Sequence, residues 1–162
     1  MKKIISKIAF VSILIAGLIS CEDNGYEEYK KGNTPSVAMN GEWYIDISDE
    51  SGDILVQHAM HKTFDANDGK MYINDAKLGW WLKGKLNVNP TDLTFNVTKE
   101  ANLNDPGTTF TITEGKIIKN AAKSKTGVMV DSIYFVAEFS YDPGVKYIHA
   151  GHRRTGFLED DF

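Results

Sequence analysis

From Gly41 onward the chain alternates apolar and polar residues in short runs broken by Gly, Asn, Asp and Pro. Period-two alternation sends successive side chains to opposite faces, so it predicts half-buried β-strands rather than helices. The runs fall at 41–47, 54–64, 70–75, 78–88, 93–98, 108–121, 128–141 and 145–154. The 108–121 run contains Glu114-Gly115 and is expected to turn there as a hairpin, which gives eight or nine strands. No long window carries the apolar spacing of a helix. An open meander of this size exposes hydrophobic edges, and closure into a barrel removes them. The expected fold is all-β: a single antiparallel barrel of about eight strands over residues 37–162, with a two-sheet sandwich as the alternative.

Residues 1–20 follow another pattern. Lys2, Lys3 and Lys7 precede an apolar run from Ile8 to Ile19, and Leu18-Ile19-Ser20-Cys21 follows. A run of about a dozen residues falls short of the roughly 20 that span a bilayer. Charged start, apolar middle and small residue before the cut describe a secretory signal peptide. A cysteine at the next position makes it a bacterial lipobox, so Cys21 is the expected site of lipidation and of membrane attachment. It is the one cysteine in the chain, so no internal disulfide competes for it. Residues 21–36 are polar and aperiodic, which predicts a flexible tether between the lipidated cysteine and the barrel.

Charge narrows the partners. The chain has 18 Lys plus Arg against 22 Asp plus Glu, and the signal removes three lysines. The remaining 15 against 22 leave a formal net of −7. That excess of acid excludes nucleic acid and electrostatic docking on anionic lipid. Glu22, Asp23, Glu27 and Glu28 stand just after the cysteine, a loose fit to an export signal for the outer face of the cell. The expected address is an exported outer-membrane lipoprotein on the periplasmic or cell-surface face.

Candidate chemistry is sparse. Ser132, with His152 or His149 as its base, is the serine a hydrolase would use, but no G-x-S-x-G surrounds it. His58 and His61 are three apart, as are His149 and His152. On strands that spacing splits each pair between opposite faces. One histidine of each pair, with a carboxylate, would still have to meet across the sheet to hold zinc. No motif implies a cofactor, and no metal site is expected. The 18 Phe, Trp and Tyr residues suit a core, and an apolar barrel interior also suits a ligand. Met60, Trp81, Phe95, Phe110, Tyr134 and Val136 are the expected lining.

Gly41-Glu42-Trp43 heads the first strand and Arg153-Arg154 end the last. The pairing resembles the lipocalin and calycin pattern, in which such a tryptophan packs against an arginine of the final strand. One-residue register decides whether Arg153 or Arg154 forms this clasp with Trp43. In the tail Gly156 would supply a turn and Phe157 a plug, while Glu159, Asp160 and Asp161 would pair with the other arginine.

A longer series also matches: Thr63-Phe64-Asp65, Tyr72-Ile73-Asn74-Asp75, Trp81, Lys83, Lys85, Phe95, Ile112-Thr113-Glu114-Gly115-Lys116-Ile117, Asp131-Ser132-Ile133 and Gly151-His152-Arg153-Arg154-Thr155-Gly156-Phe157. It resembles the lipid-binding putative hydrolases, small calycin-like lipoproteins of Gram-negative bacteria. The resemblance implies a barrel-like fold, an apolar ligand and an outer-membrane or surface address, and it transfers no catalytic residue. The expected function is non-catalytic binding of a small lipid-like molecule. An esterase-like hydrolase and a structural or interaction module of a surface uptake assembly are the alternatives, and protein partners are unknown.

Overall fold

The alternation becomes eight strands in a computed structural model that describes residues 34–162. They are β1 (Gly41–Ser48), β2 (Ile54–Asp65), β3 (Lys70–Asn74), β4 (Lys83–Asn89), β5 (Thr94–Ala101), β6 (Thr109–Lys123), β7 (Met129–Phe139) and β8 (Tyr147–Arg153). Each strand pairs antiparallel with the next, and β8 pairs back onto β1 to close the barrel. Short 3₁₀ turns stand before and after, at Val37–Met39 and Leu158–Asp160. The expected signal segment, Cys21 and the expected tether up to residue 33 lie outside the described residues.

Alternation sets the contents of the barrel. Trp43, Ile45 and Ile47 of β1 are fully buried, as are Met71 and Ile73 of β3, Leu86 of β4 and Phe135 of β7. Phe95, Phe110, Ile112, Ile133 and Phe139 complete the core at 2% exposure or less. A barrel of eight strands is just wide enough for side chains to fill, and here they do. Gly84 is one of the residues that makes the fit possible. A Cβ there would stand 2.5 Å from Phe110 Cε1, so only glycine lets the Phe110 ring lie across β4.

Two expected elements differ. The 108–121 run is one long strand, and Glu114 (φ 55°) sits in a bulge where the register with β5 and β7 shifts. A bulge adds a residue and bends the strand without ending it, which helps a small barrel curve. The 78–88 run is strand only from Lys83. Residues 75–82 form a loop, closed by Asp75 N–H donating to Leu82 O at 3.0 Å. Ala76, Lys77 and Trp81 have φ between 51° and 64°, a left-handed conformation costing about 1–2 kcal/mol per non-glycine residue. Asn74 Oδ1 and Asp75 Oδ1 offset part of that cost, accepting from the Ala76 and Lys77 amides at 2.9 Å each. Burial of Leu82 at 0% exposure draws the apolar end of the loop over the barrel mouth.

The meander puts the β1–β2, β3–β4, β5–β6 and β7–β8 loops at this mouth and the chain's incoming and outgoing segments at the other end. There the expected clasp forms. Arg153 faces inward, its guanidinium carbon 5.6 Å from the Trp43 ring centroid. It donates to Asn40 O (2.6 Å) and to Asp131 Oδ2 (3.1 Å). Trp43 Nε1 donates to Thr63 Oγ1 (2.8 Å), which donates to Met39 O (2.7 Å). Burial alone would raise the Asp131 pKa, but Lys119, the Asn120 amide and Arg153 outweigh it and hold it low. Arg154 turns outward to Glu42 and Asp161, with Nε 2.7 Å from Asp161 Oδ1. Asp160 instead accepts from the Thr126 amide and Thr155 hydroxyl at 2.7 Å each. Gly156 does turn the chain (φ 85°), whereas Phe157 is 64% exposed and plugs nothing, because Met39 and Trp43 already fill that end.

Trp43→Ala should therefore cost about 3–5 kcal/mol in urea unfolding, the range for truncating a buried aromatic. Arg153→Met should cost more than Arg154→Met, since only the former takes a donor from the buried Asp131 carboxylate and from Asn40 O and removes the cation from the Trp43 ring. Equal losses for the two arginines would contradict the assignment.

Candidate functional site

The β3–β4 loop brings Gly79, Trp80 and Trp81 together with Asp105 of the β5–β6 loop and Tyr141 of the β7–β8 loop. These five residues line a cleft of about 440 Å³ over the barrel mouth. Trp80 packs downward, its ring centroid 4.7 Å from that of Tyr147. Trp81 is 52% exposed, with Lys77 Nζ 4.7 Å above its ring. Tyr141 stacks on Phe139 at 5.2 Å. Burial, with Tyr147 and Asp105 nearby, pushes the Tyr141 hydroxyl pKa up to about 12, so it remains a neutral donor. Asn104 braces the rim, with Nδ2 donating to Asn74 Oδ1 (3.1 Å) and Asp75 Oδ1 (3.0 Å).

Beneath Gly79 lies a polar cluster inside the apolar barrel. His61, His149 and Asp75 are each fully buried, and His61 Nε2, His149 Nε2 and Asp75 Oδ2 have no hydrogen-bond partner. The two imidazole centroids are 5.8 Å apart, and His149 stacks on Phe135 at 4.3 Å. Burial, then the neighbouring His61, holds the His149 pKa down at about 3. Burial lowers His61 as well, against the opposing pull of the Ala59 carbonyl and Asp75. Both rings are therefore neutral at pH 7.

One histidine of each sequence pair thus turns inward, and His58 and His152 turn outward, as strand parity requires. Among the described residues no three His, Cys, Asp or Glu side chains are placed to ligate one ion. Ser132 and His152 are cross-strand partners on the outer face, beside Tyr44 and Phe162. His152 Nε2 has no hydrogen-bond partner, so Ser132 does not donate to it. The nucleophile–base contact that serine hydrolysis needs is not made there.

The expected lining divides by facing. Trp81 lies in the cleft, and Phe95 and Phe110 lie inside the barrel. Met60, Tyr134 and Val136 are corrected to the outer face. On β2, Ala59, His61 and Thr63 take the inward positions because Thr63 receives the Trp43 indole, which turns Met60 toward Tyr44 outside. On β7, Asp131 must face the inward Arg153, so Ile133, Phe135 and Ala137 follow it inside. Tyr134 and Val136 then line a shallow outer hollow of about 200 Å³ with Glu50, Lys146 and Ile148. Sequence reasoning allowed one histidine of each pair to meet a carboxylate across the sheet, without naming His61, His149 and Asp75 as the three. Counting by twos from Thr63 on β2 and from Arg153 on β8 would have sent both histidines inward.

A filled, closed barrel with an aromatic cleft at its loop end matches a known family over most of its length. Residues 28–158 match the model of the lipid-binding putative hydrolase family. The chain belongs to that family. A search of curated proteins finds no match. Family membership makes lipid binding the coarse function of this barrel.

Neutral buried histidines make stability pH-dependent. Their folded pKa values lie below the unfolded value of 6.5, so their contribution is full above pH 6.5 and falls with pH below it. Unfolding free energy should drop between pH 6.5 and 4.5, a window above the titration of the surface carboxylates. His149→Phe should flatten that slope by up to about 1.4 kcal/mol per pH unit. An unchanged slope in urea titrations at pH 7, 6 and 5 would contradict the buried neutral state.

Proposed function

We propose that this protein is an exported lipoprotein, held to the outer membrane through acylated Cys21, that binds a small lipid-like molecule at the barrel mouth without chemistry. The observation that carries the reading is the 440 Å³ cleft, walled by Trp80, Trp81 and Tyr141 and seated on the apolar core of the barrel. Aromatic walls with a few polar groups suit an apolar ligand whose orientation is fixed at one end. The family description supports lipid as the ligand class. The N-terminal lipobox supports the anchor, and the acidic net charge supports a membrane link made by acyl chains alone.

A second reading has its own observation. The tightly filled barrel together with the exposed face of Trp81 also suits an interaction module, in which a protein partner covers the mouth. Hydrolysis has less support, since Ser132 and His152 lie outside the barrel, away from the cleft.

Native mass spectrometry of the protein extracted from cells should find a co-purifying lipid. Trp81→Ala should weaken lipid binding about tenfold while changing stability by no more than about 0.5 kcal/mol, because the side chain is exposed. Absence of both a bound lipid and a lipid-induced rise in melting temperature would overturn the binding reading. A stable protein partner lost on Trp81→Ala would favour the interaction module.

A further inference from the structure

The three unpartnered atoms beneath the cleft are all hydrogen-bond acceptors. His61 Nδ1 lies 2.9 Å from Ala59 O, and His149 Nδ1 lies 3.1 Å from Tyr147 O. A carbonyl oxygen only accepts, so in each neutral ring the proton sits on Nδ1 and Nε2 holds a bare lone pair. Asp75 Oδ1 already accepts from the Lys77 amide and Asn104 Nδ2, which leaves Oδ2 free. A buried acceptor without a donor is costly, and three together in an apolar barrel require a donor from elsewhere.

The cluster adjoins the cleft through one residue. Gly79 lines the cleft, and a Cβ there would stand 3.2 Å from Asp75 Oδ2 and 3.2 Å from His61 Cε1. Ile47 Cδ1 would stand closer still, at 3.1 Å, so no methyl group fits there and the Gly79 backbone alone separates the cleft from the acceptors. Gly79 also belongs to the loop that holds Ala76, Lys77 and Trp81 in the left-handed region, so that loop is the element that must shift for a ligand to reach the acceptors.

We propose that His61, His149 and Asp75 form the headgroup subsite of the mouth cleft, and that it selects lipids with a hydroxyl head over lipids with a carboxylate head. A hydroxyl brings the donor that the acceptors lack. A carboxylate brings only further acceptors and a negative charge, beside Asp75 and below Asp105. The inference rests on the lipid-binding reading and names the chemistry of the ligand's polar end.

The test compares hexadecanol with hexadecanoate, two lipids of one chain length, on the purified full-length protein by displacement of a fluorescent lipid. Hexadecanol should bind at least about tenfold more tightly. Asp75→Asn, which adds an amide donor, and His149→Phe, which removes an acceptor, should each shrink that ratio several-fold. Because the ratio compares two ligands on one sample, it is independent of any loss in folded fraction. Gly79→Ala, at an ordinary backbone conformation, should weaken hexadecanol more than hexadecanoate, because the added methyl presses on Ile47, Asp75 and His61 between the cleft and the acceptors. Equal affinities in the unmodified protein would overturn the subsite while leaving lipid binding intact. A ratio that collapses in Asp105→Asn but survives Asp75→Asn would put the selection at the cleft rim, which also overturns it. Binding of neither lipid would overturn the proposed function, and the subsite with it.

Discussion

Closure of the β1–β8 seam is the constraint on which the rest of this protein depends. A sheet of eight strands has two edges, and pairing Trp43 through Ser48 with Ile148 through Arg153 removes both. The clasp at one end of the seam sets its register. With Arg153 inward against Trp43 and Asp131, every second residue of β8 must also face inward. His149 is carried into the core by that rule, two steps of alternation away. The same logic on β2 runs from Thr63, bound to the Trp43 indole, to His61. A structural contact at the closed end thus dictates the polar chemistry near the open end.

The two ends divide the work of the fold. At the closed end the charged groups are satisfied: Arg153, Asp131, Lys119 and the carbonyls of Ala38 and Asn40 bond one another. The C-terminal segment adds Asp161, which ties Arg154 and the Tyr44 hydroxyl at 2.8 Å and whose pKa that pairing holds near 2. Toward the open end His61, His149, Asp75 and Asn102 keep buried polar atoms without a partner, as Asn40 and His152 do near the clasp, and three left-handed residues fall in the 75–82 loop.

The barrel was largely legible in the sequence because period-two alternation is a strong local signal, and because Gly41-Glu42-Trp43 and Arg153-Arg154 mark the first and last strands. Both departures came from apolar runs whose local pattern is indifferent to the outcome. The 108–121 run reads equally as a hairpin or as a bulged strand, and only pairing with β5 and β7 settles it. The run beginning at Leu78 carries strand-like residues, yet Leu82 is buried only if Trp80 and Trp81 loop across the mouth. The site was less legible because facing is a one-residue question. Met60, Tyr134 and Val136 have the composition of lining residues and the wrong parity, while His61 and His149 have the right parity and a composition that suggests solvent.

The most direct test of the mouth as the binding site is backbone amide NMR of the protein titrated with hexadecanol. The account predicts shift changes confined to residues 75–82, to Asn104 and Asp105, to Tyr141, and to His61 and His149 beneath them, with the Trp43–Arg153 end unmoved. Changes centred on the outer hollow at Tyr134 and Val136, or on the clasp, would contradict it.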